Sequence, residues 1–397
     1  MKLNGSMSAM PLGQSEGQGA VVAAKGKSTP FVFAREFGSR AAEINDFYNR
    51  FTGKARSLAA HRWEFLEGPG GPALVWTITE GSDGRVVGHH AIVQTPLVRR
   101  GADIVGGRTE NTIIDPAVRT KVFYPGMEKR ALAETLQGLR VVYTIHSTGP
   151  GRLRERLGYK TVGRWVVYLP KVGPGYLGAL LRRGRAAIGI KVPDAVLGIG
   201  ARVVSWMQSL ARTIRRRPAL EVSEIDSVVD LGPEYDQFWN RARQRYDTTI
   251  DRSQRFLRWR FVDNPHLQFR TWAVRRNGRL HAVILAHPHA LGQSWALYID
   301  DIIVGDYCDE SFADVVAVLP SLDPDADALV LMTLAVDTPL FRVLRRRFPL
   351  QTYLLRRFGS KLFDEMLAID RDDAVTQEPW YVTATFTEGM DTSRGTI

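Results

Sequence analysis

The chain has 397 residues, of which 44% are hydrophobic, and its formal net charge is +11 at pH 7. This apolar content excludes a disordered protein, and the length suits roughly two or three domains. The charge is not spread evenly, because the 54 residues from Arg164 to Arg217 hold eleven Lys and Arg and a single acid, Asp194. A protein that is basic throughout is therefore excluded, and a local electropositive patch is indicated.

Cysteine and histidine usage argues against disulfide and metal chemistry. Cys308 is the only cysteine, which excludes an intrachain disulfide and a zinc site built on cysteines. A reducing compartment is the simplest setting, so we expect a cytoplasmic protein. The nearest approach to a metal cluster is His281, His287 and His289, which we interpret as ordinary strand and loop histidines. We therefore expect no metal.

Neither a targeting signal nor a membrane span is predicted. Residues 1–30 are rich in Gly, Ser, Ala and Gln and lack the basic head and apolar core of a signal peptide, so we predict a disordered tail. The longest stretch without a formal charge, Leu280–Ile299, alternates like a strand and contains three His and a Pro. A span needs about 20 mostly apolar residues, so we do not predict one here.

The sequence contains an internal repeat, with one copy on either side of the basic segment. Trp63, Pro69 and Trp76 recur 196 residues later as Trp259, Pro265 and Trp272. Further ordered matches follow at offsets that decline to 188: Gly84-Arg85 with Gly278-Arg279, Ile113-Ile114 with Ile302-Ile303, Val141–Ile145 with Leu329–Thr333, and Leu153-Arg154 with Phe341-Arg342. A slow decline is what small deletions in loops produce, so we infer two copies of one unit.

The sequence pattern predicts the same order of secondary-structure elements in each copy. Those of the first copy are a strand at Phe31–Arg35, a helix at Arg40–Phe51, a hairpin at Asp83-Gly84, a strand ending near Asp115, a helix at Met127–Leu136 and a strand at Val141–Ser147. The second copy has helices near Tyr235–Arg245 and Glu310–Leu319 and a hairpin at Asn277-Gly278. This order predicts an α+β fold of the α/β layer type, with mixed sheets and flanking helices. We place the tail at 1–30, the units at 31–169 and 220–397, and a connector at 170–219.

The stretch from Ile113 to Arg164 resembles the GNAT (N-acetyltransferase) superfamily. That family has a strand, a turn that opens a helix, a second strand, and a short helix closing in Leu-Gly-Phe/Tyr. Here these are Asn111–Asp115, the turn 115–119, Val141–Ser147 and Leu157-Gly158-Tyr159. The resemblance covers about residues 31–169, and in the second copy it is one of architecture only. It implies tandem GNAT-like units and acetyl-CoA as the acyl donor.

In GNAT proteins the turn before the helix is rich in glycine, and its free N–H groups bind the pyrophosphate of coenzyme A. Here two of the glycine positions are Val122 and Tyr124. The resemblance assigns the donor site to Arg119, Thr120, Lys121, Val122, Phe123 and Tyr124, with Arg119 and Lys121 as the phosphate contacts. A surface turn with ordinary basic residues is the equally weighted alternative. The second copy is acidic at this place, with Asp306, Asp309 and Glu310.

In this superfamily the acceptor amine must lose a proton, and the leaving thiolate must gain one. The proton for the thiolate often comes from a Tyr that lies four residues before the glycine of the Leu-Gly-Phe motif. Here that position is Arg154. Tyr159 is the predicted substitute, with Tyr143 and Tyr124 as further aromatic neighbours. Glu110 is the predicted base, against the alternative of an exposed carboxylate at the end of a strand.

The pattern of the connector predicts two helical pieces. The second carries an apolar stripe from Val196 to Ile214, and its arginines lie away from that stripe. A helix packed across both copies is one interpretation. Contact of the Arg182–Arg217 segment with an anionic membrane surface is a second interpretation, and it would place the protein at the inner face of a membrane. Contact of this segment with RNA is a third.

Three functional hypotheses follow. The first is an acyl-CoA-dependent N-acyltransferase that acetylates an amine of a small molecule, sugar or peptide. The second is a Fem-type aminoacyl transferase near the membrane, and the third is a catalytically silent GNAT-like binding protein.

Overall fold

A computed structural model of the chain describes residues 20–22, 31–81, 84–120, 124–146, 153–188, 198, 202, 219–291, 293–349, 351–352, 365–372 and 374–386. The predicted tail and the second helical piece of the connector, with its apolar stripe, lie almost wholly outside the described residues. Within the described ranges, no helix combines the length and the apolar character needed to cross a lipid bilayer.

The elements of the first copy follow the predicted order. Its strands are β1 (Ala20–Val22), β2 (Phe31–Glu36), β3 (Leu74–Glu80), β4 (Arg85–Arg99), β5 (Ala102–Ile114), β6 (Val141–His146) and β7 (Lys160–Val172). Its helices are α1 (Ala41–Thr52), α2 (Leu58–Phe65) and α3 (Tyr124–Gly138). In the part of the chain that is described, the connector begins as α4 (Pro174–Ile188).

The second copy repeats this order. Its strands are β8 (Glu221–Ile225), β9 (Thr248–Ile250), β10 (Arg270–Arg276), β11 (Arg279–Leu291), β12 (Ser294–Val304), β13 (Ala328–Leu334) and β14 (Glu365–Asp370). Its helices are α5 (Gly232–Ala242), α6 (Gln254–Leu257), α7 (Asp309–Val318) and α8 (Pro339–Arg347), and a π-helical turn, Arg258–Val262, extends α6.

Local chemistry accounts for where many of these elements begin and turn. The β10–β11 hairpin turns at Asn277 and Gly278, whose φ angles of 51° and 73° are the left-handed values that this dipeptide adopts in tight hairpins. The predicted Asn-Gly hairpin is therefore confirmed. The hydroxyls of Ser57, Ser253 and Thr338 accept hydrogen bonds from the first turns of α2, α6 and α8, which satisfies N–H groups that lack a partner within the helix.

The two copies meet at the tryptophans that first indicated the repeat. The rings of Trp63 and Trp259 stack, with their centroids 4.8 Å apart. Trp63 Nε1 donates to the carbonyl oxygen of Trp259 at 2.9 Å, and Trp259 Nε1 donates to that of Trp63 at 3.0 Å. This reciprocal pair is what a local twofold relation between equivalent residues of two copies produces.

The strands join in the order β1-β2-β3-β4-β5-β6-β14-β7-β13-β12-β11-β10-β8, and β9 pairs with β4. In each half the parallel pair, β5 with β6 or β12 with β13, lies beside antiparallel hairpins. The mixed sheet with flanking helices confirms the predicted fold class.

The halves exchange strands at their junction, which the sequence did not indicate. β14, near the end of the chain, lies between β6 and β7 and pairs with both. β7 in turn pairs with β14 through residues 160–164 and with β13 through residues 165–172. Each half is therefore completed by a strand from the other, and the stability of the two halves is coupled through β7.

Candidate functional site

In each half, the two parallel strands pair over a short stretch and then separate. In the first half, Gly106, Gly107 and Arg108 of β5 pair with residues 141–143 of β6. A Cβ at Gly106 would collide with Leu97, and one at Gly107 with Ile92. Glycine at these two positions therefore lets β5 pack closely against its neighbours before the strands diverge.

Beyond this pairing, β5 carries an irregularity where a GNAT-like groove would open. The register with β4 shifts between His89 and Ala91, and Asn111 has a φ of 47°. Asn is one of the few residues that adopts this conformation readily. The kink lies directly after Glu110, so the predicted base stands at the point where β5 leaves β6.

The two predicted catalytic residues lie on opposite faces of the sheet. Successive side chains of a strand alternate between faces, so Glu110 shares a face with Arg108, and Arg108 Nε lies 2.6 Å from Glu110 Oε1. Tyr159 belongs to the core on the other face, beneath α3.

Glu110 is buried rather than exposed, and it is part of a charged cluster between the sheet and α2. Arg108 also lies 3.5 Å from Glu64 Oε1, and Arg56 lies 3.3 Å from Glu64 Oε2. Arg108 Nη1 donates to the carbonyl oxygen of Phe386. We call these residues and Arg260 the inter-unit charge cluster. Its members lie on elements of both copies, so spacing within one copy could not reveal it.

On the α3 face, a buried ion pair occupies the position of the usual catalytic tyrosine. Arg154 Nε donates to Glu128 Oε1 at 3.0 Å, and Arg154 Nη1 donates to Thr144 Oγ1 at 2.6 Å. The Tyr124 hydroxyl lies within hydrogen-bonding reach of Glu128 and Thr112, and burial raises its pKa above the usual range. Arg154 therefore ties α3 to β6.

Tyr159 keeps its proton at neutral pH. Its side chain is buried, and its hydroxyl has no hydrogen-bond partner among the described residues. Burial, reinforced by the negative charge of Glu128, raises the pKa of this hydroxyl well above 10. A protonated hydroxyl that lacks a partner among the described residues can donate a hydrogen bond.

Of the predicted donor-site residues, Arg119 and Thr120 are exposed just before α3, and Arg119 Nη2 lies 3.5 Å from the carbonyl oxygen of Ile114. Tyr124 is the first residue of α3. Lys121, Val122 and Phe123 lie outside the described residues. Arg119 thus precedes the first residue of α3 by five positions in the chain.

In the second half, a segment of the chain fills the corresponding gap between β12 and β13. β12 pairs with β13 only as far as Ile299 and Leu331. Beyond that point the hydroxyls of Tyr381 and Thr385 donate to the carbonyl oxygens of Ile302 and Asp300 on β12. From β13, the hydroxyl of Thr333 donates to the carbonyl oxygen of Val382 at 2.8 Å.

We call residues 380–386 the C-terminal strap. Trp380, Tyr381, Val382 and Phe386 of the strap are fully buried, so this part of the terminal segment packs against the fold. The strap therefore occupies the space between β12 and β13.

The adjacent acids of the second copy are both engaged. Asp300 Oδ2 lies 2.6 Å from His287 Nδ1. Asp301 forms a two-pronged ion pair with Arg252, at 2.7 Å and 3.1 Å. Both side chains are buried. His287 therefore has a carboxylate partner.

A small pocket of about 10 Å³, room for about one water molecule, lies between the two copies on the Glu110 face of the first sheet. It is lined by β4 and β5 of the first copy, by Tyr143 of β6, and by α6 and the π-helical turn of the second copy. Aromatic and apolar side chains dominate it, among them Phe256 and Trp259, and Arg108 and Arg260 are its charged members. We call this the inter-unit pocket.

Solved structures share this architecture. A GCN5-related N-acetyltransferase from Anabaena variabilis aligns at 12% identity and a TM-score of 0.54, over 85% of this chain and 72% of that one. A probable N-acyltransferase from Enterococcus faecalis aligns at 9% identity and 0.55, over 88% and 74%. A GCN5-related N-acetyltransferase from Kribbella flavida aligns at 12% identity and 0.50, over 88% and 73%.

These likenesses establish the fold, which is that of the GNAT superfamily, as the strand, turn and helix pattern of the first copy predicts. No model of a known protein family matches the sequence, and no curated protein does. The identities are too low to carry a substrate from those proteins to this chain.

Proposed function

We propose that the chain is an acyl-CoA-dependent N-acyltransferase with its donor site in the first copy. The observation that carries this proposal is the separation of β5 from β6 at the Asn111 kink, with Glu110 on one face and Tyr159 on the other. The Anabaena and Kribbella neighbours, which are N-acetyltransferases by name, support the same reaction class. The filled gap of the second half supports the choice of the first copy as the donor site.

The first copy fits acetyl-CoA in its backbone and departs from the family in its side chains. The diverging strands leave a path for an extended pantetheine arm, and Arg119 and the start of α3 offer an anion site. The turn lacks its glycines, and Arg154 replaces the usual tyrosine. We therefore assign the phosphate contact to Arg119, the proton donor to Tyr159, and the base to Glu110.

Replacement of Arg119 by Ala is expected to weaken acetyl-CoA binding about 10-fold, since one charged hydrogen bond contributes about 1.5 kcal/mol. Isothermal titration measures this. Arg119 is exposed, so folding should not change. Arg279→Ala, which removes an exposed arginine from the β10–β11 hairpin, is the matched control and should bind like the wild type. Absence of heat with the wild-type protein would refute the donor site.

Replacement of Glu110 by Gln is expected to lower the rate of thiol release from acetyl-CoA, assayed with a panel of primary amines, about 100-fold, since a positioned base contributes roughly 10²–10⁴. Acetyl-CoA affinity should stay within about twofold, because Glu110 faces away from α3. Glu67→Gln, at an exposed glutamate after α2, serves as the control. A variant that keeps half of the wild-type rate would exclude Glu110 as the base.

A catalytically silent binding protein is the second candidate. It is favoured by the Arg154–Glu128–Thr144 network, which holds a buried, fully engaged arginine where the superfamily places its acid. Acetyl-CoA binding without turnover on any amine would favour this candidate. Fem-type aminoacyl transfer stays a prediction. Contact of the Arg182–Arg217 segment with a membrane surface or RNA also stays a prediction, because most of that segment lies outside the described residues.

A further inference from the structure

The Glu110 face of the first sheet is closed to a substrate-sized molecule. Glu110 is 6% exposed, and the inter-unit pocket on this face has room for about one water molecule. Thr385 of the C-terminal strap is one of the residues that line this pocket. An amine can therefore reach the proposed base from this side only if part of the protein moves.

The last part of the strap, the helical turn Ala384–Phe386, lies where β5 and β6 begin to separate. Arg108 and Tyr143 are the last residues that pair between these two strands. Phe386 contacts both, since its carbonyl oxygen accepts from Arg108 Nη1 at 3.2 Å and its ring lies 5.7 Å from that of Tyr143. We call residues 384–386 the strap end. It crosses from one strand to the other on the face that carries Glu110.

The preceding part of the strap, residues 380–383, is tied firmly to the second half. Thr333 Oγ1 donates to the carbonyl oxygen of Val382 at 2.8 Å, and Thr383 Oγ1 donates to the buried carboxylate of Asp301 at 2.9 Å. A hydrogen bond to an ionised group is roughly twice as strong as one between neutral groups. Residues 380–383 therefore form a fixed anchor.

The strap end has a weaker attachment to the same strand. Thr385 Oγ1 donates to the neutral carbonyl oxygen of Asp300 at 3.1 Å. Departure of Phe386 from Arg108 leaves that arginine paired with Glu64 and Glu110, so the movement strands no buried charge. The strap end can therefore detach at a lower cost in free energy than its anchor.

We propose that the strap end is an autoinhibitory plug, which leaves β5 and β6 when the amine acceptor binds while residues 380–383 stay in place. Its role as a barrier to the acceptor rests on the proposed acyltransferase activity, with Glu110 as the base. Phe386 is fully buried in the closed form, so exposure of its ring keeps the open form a minor population. Because only the open form admits the acceptor, the apparent affinity for the amine is reduced by the open fraction.

Cysteine labelling of the full chain tests the opening without acetyl-CoA or an amine. Thr385→Cys and Thr383→Cys are made in a Cys308→Ser background, because Cys308 is the only native cysteine. The two threonines are a matched pair, since each is buried and each donates its hydroxyl to an acceptor on β12. Alkylation by iodoacetamide should be at least about 10-fold faster at residue 385 than at residue 383, since local opening costs less than global unfolding.

Urea separates the two routes to labelling. Below the unfolding transition, the rate at residue 385 should be nearly independent of urea, because a local opening exposes little surface. The rate at residue 383 should rise with urea. Equal rates at the two positions, with the same dependence on urea, would mean that the strap end leaves only on unfolding and would overturn the proposal.

Phe386→Ala tests the consequence for turnover. It weakens the closed form, which buries the ring, more than the open form, which exposes it. The KM for the amine in the thiol-release assay should therefore fall about 10-fold, with kcat little changed. Val382→Ala, at a buried residue of the anchor, should leave KM within about twofold. A folded Phe386→Ala variant with an unchanged or higher KM would contradict the plug, and the labelling pair decides the question if that variant does not fold.

The two proposals fail separately. Local opening at residue 385 without turnover of any amine would confirm that the strap end moves and refute the acyltransferase. Turnover of an amine, together with equal labelling at residues 383 and 385, would do the reverse.

Discussion

Acidification from pH 7 to pH 5 is expected to lower the free energy of unfolding by about 6 kcal/mol, because three buried histidines cannot accept protons in the folded state. Burial is the main cause in each case. It lowers the pKa of His61 and His89 to about 3, with help from Arg56, and the pKa of His90 to about 4, where Arg154 adds to the effect.

The sign of this pH dependence follows from the linkage between proton binding and folding. Below pH 6.5 the unfolded chain binds protons at these histidines that the folded protein does not bind. Each therefore costs about 1.4 kcal/mol per pH unit, or about 2 kcal/mol by pH 5. Their contribution is complete above pH 6.5 and is lost as the pH falls toward 4 and then 3. A domain is typically stable by only about 5–15 kcal/mol, so the first half should approach unfolding near pH 5.

Urea unfolding at pH 7, 6 and 5 measures this dependence. His89→Leu should remove about one third of it, since both His89 ring nitrogens are buried without a partner among the described residues. Thr77→Val changes the buried residue that pairs with His89 across β3 and β4, and it should keep the full dependence. A free energy of unfolding that changes by less than 1 kcal/mol between pH 7 and pH 5 would contradict the account.

Replacement of Asp301 by Ala is expected to cost about 3–5 kcal/mol of stability, because it leaves the Arg252 charge buried and unpaired. Both partners of this ion pair are 0% exposed. Asp301 Oδ1 also accepts a hydrogen bond from Thr383 Oγ1 at 2.9 Å, so the variant loosens the C-terminal strap as well. Equilibrium unfolding in urea measures the loss, and protease cleavage near residue 383 should accelerate.

The exposed pair of Arg62 and Glu67 supplies the comparison. Its side chains are more than half exposed and lie 3.3 Å apart, so Glu67→Gln should change stability by less than about 1 kcal/mol. If Asp301→Ala were as mild as Glu67→Gln, the Arg252–Asp301 pair would not hold the second half together. The double variant Arg252→Met, Asp301→Leu should recover part of the loss, since it removes the unpaired charge.

Several features could be predicted because they are local in the chain. The Asn277-Gly278 hairpin follows from the φ values that these residues tolerate. Helix α1 follows from apolar side chains at helical spacing. The equivalence of Trp63 and Trp259 follows from the repeat, although their stacking and reciprocal hydrogen bonds do not.

The candidate site was only partly accessible from the sequence. Glu110 and Tyr159 were chosen by their place relative to the GNAT-like motif, and strand alternation then puts them on opposite faces. Arg260 was missed, since an arginine in a helical turn carries no signal of burial. Its equivalence to Glu64, at the same offset of 196 that relates the tryptophans, was the one available clue.

The sequence alone determined that two copies of one α+β unit flank a basic segment, because repeat offsets, turn residues and side-chain periodicity are properties of the chain itself. Only the tertiary structure decided which strands pair, since a strand pattern specifies a buried face and not a partner. The exchange of β7 and β14, the strap in the second gap and the burial of Arg260 all depend on contacts between distant residues.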